Sequence, residues 1–167
     1  MQTLIYSDEG VSPFSLRETL KTFSQYSNNI KRITCKKLIE EDWEKKTDLL
    51  VIPGGKDIPY DRKLKKKGTD KIRKFVENGG HYIGICAGAY FGSAKIVFEK
   101  GTPLEVNESR ELKFFPGTSI GTIYPLKQFS YDSESGAYAA EISFEKGCLN
   151  TYYNGGCLFH QAENYTS

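Results

Sequence analysis

Gly79-Gly80-His81-Tyr82-Ile83-Gly84-Ile85-Cys86-Ala87-Gly88-Ala89-Tyr90 carries a short apolar strand that ends in a cysteine and runs at once into a helix-compatible segment. That is the layout of a nucleophile elbow, a tight strand-to-helix turn that presents its central side chain on strained backbone. Small residues at Gly84 and Gly88 let neighbouring backbone approach closely. The alternative for Cys86 is a buried, inert cysteine at the end of a core strand.

Working back from the elbow, Asp48-Leu49-Leu50-Val51-Ile52 is a short apolar run ended by Pro53-Gly54-Gly55, the pattern of a strand buried on both faces of a parallel sheet. Leu4-Ile5-Tyr6 reads as a first strand, with Ser7-Asp8-Glu9-Gly10 leaving its carboxyl end. A helix is predicted to start at Pro13 after Ser12, with Leu16, Leu20 and Phe23 at helical spacing. A strand over Ile30–Thr34, a helix over Lys36–Trp43 and a helix over Asp70–Glu77 complete an alternating order. Such an order argues for an open α/β sheet, on which ligands collect beyond the carboxyl ends of the strands. Three loops are expected to converge there: Ser7–Ser12, Pro53–Tyr60 and Cys86–Tyr90. The basic run Arg62-Lys63-Leu64-Lys65-Lys66-Lys67 reads as a solvated loop or an exposed face, because no aromatic residues interleave to stack bases.

After about residue 98 the pattern turns β-rich. Short strands are predicted at Leu112–Phe115, Ser119–Tyr124, Tyr138–Phe144 and Thr151–Tyr153, separated by Pro116-Gly117, Ser133–Gly136 and Gly155-Gly156. No linker divides the halves, so residues 1–167 are read as one domain.

Composition excludes more than it selects. The chain has 26% charged and 38% hydrophobic residues and a net charge of +2, which gives no electrostatic argument for nucleic acid or an anionic membrane. No apolar run approaches the roughly 20 residues that span a bilayer, and no export segment opens the chain, so a cytoplasmic protein is expected. Asn107-Glu108-Ser109 and Asn164-Tyr165-Thr166 then match the glycosylation pattern by chance. Four cysteines at 35, 86, 148 and 157 form no CxxC pair and there are two histidines, so no metal and no cofactor is expected.

A nucleophilic cysteine needs a lowered pKa, oxyanion donors and usually a base. The helix starting at Ala87 is expected to favour a thiolate at Cys86 and an oxyanion beside it. Pro53-Gly54-Gly55 either aims an opposing backbone N–H at the same point or is merely a tight turn. His81 lies five residues before Cys86 on the same strand, about 16 Å away at ordinary strand rise, and is structural. His160 is the remaining histidine, either a base or a surface residue of a terminal segment. Asp8 or Glu9 either hydrogen-bonds the sulfur or caps a turn.

Leu50-Val51-Ile52-Pro53-Gly54-Gly55 followed by Gly84-Ile85-Cys86-Ala87-Gly88 resembles the class I glutamine amidotransferase superfamily, in which the first motif lines the oxyanion hole and the second carries the nucleophile. More narrowly, the chain resembles the amidotransferase-like domain at the amino terminus of biotin-protein ligases, which also occurs as stand-alone bacterial proteins. The matching stretches are Pro53–Tyr60, the elbow with Tyr90-Phe91-Gly92, Glu111–Thr118, Ser133–Ala137 and Tyr152–Gly156. The resemblance implies a flavodoxin-like three-layer sandwich with a mostly parallel central sheet and a site built from Pro53, Gly54, Gly55, Cys86, Ala87 and Gly88. It does not imply biotin transfer by this chain alone, because nothing like the ligases' Gly- and Arg-rich adenylate loop occurs in it. Working glutaminases carry a histidine and a glutamate one residue apart after a late strand. Here that strand reads Tyr152-Tyr153-Asn154-Gly155-Gly156, so Asn154 stands at the base position or His160 reaches back from beyond it. The expectation is a cysteine-dependent hydrolase of a small amide or a catalytically degenerate module that binds a small molecule or a protein partner.

Overall fold

The computed structural model describes residues 2–123 and 129–165. Its centre is a parallel four-stranded sheet in the order β2-β1-β3-β4, made by β1 (Thr3–Tyr6), β2 (Ile30–Ile33), β3 (Leu49–Ile52) and β4 (His81–Gly84). β1 and β3 are buried along their whole length, which is why they are apolar at every position but Thr3 rather than alternating. Their residues still divide by face. Leu4, Tyr6, Leu50 and Ile52 enter one cluster with Leu38, Leu64, Ile72 and Phe75, while Ile5, Leu49 and Val51 pack with Leu16, Leu20 and Phe23.

Helix α1 (Pro13–Phe23) therefore covers one face of the sheet. Ser12 caps it as predicted, its hydroxyl accepting from the Ser15 N–H at 3.5 Å. The other face is covered by α2 (Cys35–Glu40), α3 (Asp57–Leu64), α4 (Lys67–Glu77) and α5 (Ala87–Phe91). This is the expected three-layer flavodoxin-like sandwich.

The boundaries of two helices move, and a third helix stands where a loop is expected. α2 starts at Cys35 behind a Thr34 cap and stops at Glu40, so Trp43 lies beyond it, where its indole N–H donates to the Leu38 carbonyl at 2.9 Å. The stretch read as the loop Pro53–Tyr60 and a basic run is instead helical from Asp57 to Leu64, because Tyr60 and Leu64 recur at helical spacing and are both fully buried. α4 begins at Lys67, three residues before the predicted Asp70, and its cap comes from far along the chain. The Glu111 carboxylate accepts from the Lys66 N–H at 2.7 Å and the Thr69 hydroxyl at 2.6 Å. A capping residue 45 positions away leaves no local sequence signal.

The second half is β-rich but paired differently from the prediction. β5 (Ser93–Phe98) and β6 (Val106–Ser109) form an antiparallel pair that the sequence reading missed. β7 (Phe115–Gly121) joins β5 in parallel, with Pro116 and Gly117 inside the strand instead of separating two strands. Leu112 and Phe114 are core contributors to the first half, not strand residues. Tyr124 and Thr166, named above in a strand and in a glycosylation pattern, lie outside the described residues. β8 (Tyr138–Phe144) and β9 (Gly147–Tyr153) make a hairpin, and β10 (Leu158–Phe159) returns antiparallel to β7. No helix among the described residues is long and apolar enough to cross a membrane.

Leu50 is fully buried between sheet and helices, whereas Ile142 on the hairpin is 48% exposed. Leu50→Ala is expected to cost about 2–5 kcal/mol of unfolding free energy in urea titrations, and Ile142→Ala no more than about 0.5 kcal/mol.

Candidate active site

The sheet order reverses between β1 and β3, so the loops that leave them diverge to opposite faces and open a crevice there. All three predicted loops meet at that crevice. The Ser12 N–H donates to the Gly54 carbonyl at 2.9 Å, and the Lys56 N–H to the Gly10 carbonyl at 2.7 Å. Gly55 sits at φ 149°, and a Cβ there would overlap the Gly10 carbonyl oxygen. The Ser15 hydroxyl accepts from the Gly54 N–H at 2.8 Å, and the Tyr60 hydroxyl reaches the carbonyls of Pro53 and Gly54 at 3.2 and 3.3 Å. The Gly-rich loop is thus clamped from α1 and from α3.

Cys86 is the elbow. Its φ of 50° and ψ of −107° belong to a backbone region that a residue with a side chain occupies only under strain. The turn is held because Gly88 lies against the Ile52 carbonyl and Gly84 against the Gly88 carbonyl, both closer than a Cβ would allow. The backbone N–H groups of Ala87 and Gly55 lie near enough to the Cys86 sulfur to favour its thiolate. Pro53 and Gly54 bring Gly55 to that position, and the Gly54 α-carbon faces the Cys86 β-carbon.

The surroundings of Cys86 oppose the expected thiolate. Burial pushes the Cys86 thiol up to about 11, aided by Cys157 and Asp57, against the lowering effect of the Ala87 and Gly55 N–H groups. A helix of five residues supplies too little dipole to offset that desolvation. The thiol proton is directed at the carbonyls of Asn154 and Gly155, each 3.8 Å away.

Asn154 therefore meets the sulfur through its main chain. Its side-chain nitrogen donates to the Tyr152 hydroxyl at 3.4 Å, and its Oδ1 is buried with no hydrogen-bond partner among the described residues. His160 is exposed in the turn after β10, tied by its own N–H to the Thr118 carbonyl at 3.0 Å. Asp8 and Glu9 are turned away from Cys86. Asp8 accepts from the N–H groups of Glu9 and Cys35 and from Lys63, contacts that hold its carboxyl below the usual range against the effect of burial. Glu9 pairs with Lys63 and Arg62. The first-loop acids thus cap a turn and an α2 start rather than support the sulfur.

The carboxylate beside Cys86 is Asp57, which sequence reasoning did not single out. Asp57 is 8% exposed at the first position of α3, and Arg110, 1% exposed, approaches its Oδ2 with Nε and Nη2, both at 2.8 Å. Burial raises the Asp57 carboxyl above its ordinary value despite the opposing pull of Arg110. The visible signal was an acid directly after the Gly-rich loop; its partner stands 53 residues away and left none.

Asp57, Gly55, Cys86, Ala87, Tyr90 and Gly155 line a cavity of about 10 Å³, room for little more than one water. Phe129 and Tyr131 close it, and the same two rings form the floor of an outer groove of about 860 Å³. Phe129 packs onto Gly155, and the Lys56 ammonium lies 5.1 Å over the Tyr131 ring and 3.4 Å from Asp132. Among the described residues no cluster of His, Cys, Asp and Glu is arranged to hold a metal ion.

A parallel α/β sandwich in which a Gly-rich loop and a strained cysteine meet at the switch point has the layout expected from the amidotransferase-like motifs of the sequence. The chain belongs to the family described as biotin-protein ligase, N terminal, whose profile matches residues 1–167. It is 43% identical over 170 residues to an uncharacterized protein of Chlamydia muridarum, covering 98% of this chain and 65% of that one. It is 38% identical over 176 residues to the biotin-protein ligase of Schizosaccharomyces pombe, covering 100% of this chain and 28% of the ligase. The chain thus spans less than two thirds of the length of either relative.

With the thiol raised to about 11, iodoacetamide should alkylate Cys86 at pH 7 at least about 100-fold more slowly than free cysteine. The rate should keep rising with pH beyond the free-thiol range. Phe129→Ala, which wets the cavity, should lower the thiol pKa and speed alkylation about tenfold, the change that one pKa unit brings. Mass spectrometry of the Cys86 peptide reads both, and a wild-type rate equal to that of free cysteine would contradict the buried-thiol picture.

Proposed function

We propose that residues 1–167 act as one domain that hydrolyses a small acyl compound, such as an amide, through Cys86. The observation that carries this reading is the convergence of two backbone donors, from Gly55 and Ala87, on the sulfur of a strained elbow. Strain of that kind costs on the order of 1–3 kcal/mol and persists where the surroundings enforce it. In the proposed reaction the Cys86 sulfur bonds to the acyl carbon, and the developing oxyanion is held by the two N–H groups. The bond from the carbon to the amine or alcohol then breaks, the leaving group departing with the proton that the thiol gives up. The ligand is a small molecule, entering from the outer groove past Phe129 and Tyr131. Four free cysteines fit a reducing compartment, and we place the protein in the cytoplasm on that ground. Biotin transfer by this chain alone is not part of the proposal.

A second reading, a binding or regulatory module that engages a small molecule or a partner protein, is favoured by the protonated thiol and by a cavity that admits only one water. Exposure to p-nitrophenyl acetate separates the two. The hydrolase reading expects p-nitrophenol release with transient acetylation of Cys86, both lost in Cys86→Ser. An unmodified Cys86 after prolonged exposure at pH 8 supports the binding reading instead.

A further inference from the structure

Arg110 is one of the largest fully buried side chains in the protein, and its guanidinium serves Asp57 first. Sinking such a pair into an interior costs more than an apolar substitute of the same volume would, so its position calls for a reason. Asp57, the acidic member of the pair, lines the cavity that Cys86 also lines, with Arg110 behind it.

Arg110 brings both Nε and Nη2 to 2.8 Å from the one oxygen, Oδ2, and Nε makes the hydrogen bond while Nη2 is left without one among the described residues. Oδ1 takes no hydrogen bond from the Arg110 side chain. The remaining Arg110 nitrogen, Nη1, is held by the Glu108 carboxylate at 2.8 Å and the Ser109 carbonyl at 3.0 Å, which fixes the guanidinium from behind. The carboxylate thus has one oxygen anchored by Arg110 and one that Arg110 does not engage, on a residue that lines the cavity. A cavity sized for one water, lined by a carboxylate, the elbow sulfur and two amide donors, is a place where a single water meets both a proton acceptor and an acyl carbon attached to the sulfur.

We propose that Asp57, oriented by Arg110, is the catalytic residue that takes the proton of the hydrolytic water at Cys86. This inference rests on the hydrolase reading above. In the step, water oxygen bonds to the carbonyl carbon of the Cys86 thioester while its proton passes to Asp57 Oδ1. The oxyanion is held by the N–H groups of Gly55 and Ala87. The carbon–sulfur bond then breaks, the sulfur leaves with its electron pair, and it takes the proton back from Asp57. The net change is thioester plus water to carboxylic acid plus thiol. No histidine is required, and the raised affinity of the buried carboxyl for a proton suits a group that must carry one. Arg110 is a positioning residue in this scheme.

The test is the lifetime of acetyl-Cys86 formed with p-nitrophenyl acetate, followed by intact mass after the reagent is removed. Asp57→Asn should still acetylate but deacylate about 100-fold more slowly than wild type, a typical loss for a missing general base. The neutral amide leaves Arg110 buried without a counter-charge, so the double variant Asp57→Asn/Arg110→Met serves as the folded control and should show the same long-lived thioester. Arg110→Lys should restore part of the wild-type deacylation rate, which a purely structural role would not do. Equal lifetimes in wild type and in both Asp57 variants would overturn the inference and leave the hydrolase reading standing. If wild-type Cys86 never acetylates, the hydrolase reading fails and this inference falls with it.

Discussion

The backbone of α5 lies so close to the end of β3 that one methyl group at position 88 would overlap the Ile52 carbonyl oxygen. That contact draws the start of α5 down onto the sheet, and Cys86 is forced through φ 50° to make the turn. Everything at the site follows from it. The sulfur is carried into reach of the Gly-rich loop, and the loop is held by Ser15 on one face of the sheet and by Tyr60 on the other. The three layers of the sandwich therefore each contribute to the placement of two N–H groups and one thiol.

The second half of the chain closes what the first half opens. Tyr90, one turn after the elbow, donates its hydroxyl to the Gly155 carbonyl at 3.2 Å and so fastens the late loop over the sulfur. Phe129 packs against Gly155 and meets Phe98 edge to face, and Tyr131 stands beside it under the Lys56 ammonium. A half-buried cysteine with a crowded sulfur is the result. Desolvation then outweighs the donors that would favour a thiolate, and Cys86 rests protonated. The same enclosure strengthens every electrostatic interaction inside it, the Asp57–Arg110 pair included.

How much of this was legible in the sequence depended on distance along the chain. β1, α1, β3 and β8 were read nearly to the residue because each is specified by its own apolar pattern and cap. The elbow and the Gly-rich loop were legible because the close approaches demand glycine at fixed local positions. α3 was hidden behind the Pro and Gly signals that precede it and a basic run on its exposed side. β5 and β6 were hidden because their faces are set by pairing, β5 with β7 and β6 with β5, which has no local signature. At the site, Asp8 and Glu9 were plausible by position, yet Lys63 and the Cys35 N–H engage them. Asp57 and Arg110 meet only in the folded chain, and sequence spacing says nothing of a pair 53 residues apart.

The central claim is that Gly55 and Ala87 present an oxyanion site around Cys86. The most direct measurement is a crystal structure of the protein with an acetyl group on the Cys86 sulfur. The account predicts the thioester carbonyl oxygen within hydrogen-bond distance of both N–H groups. A carbonyl directed into the groove, with the two N–H groups satisfied by other atoms, would contradict it.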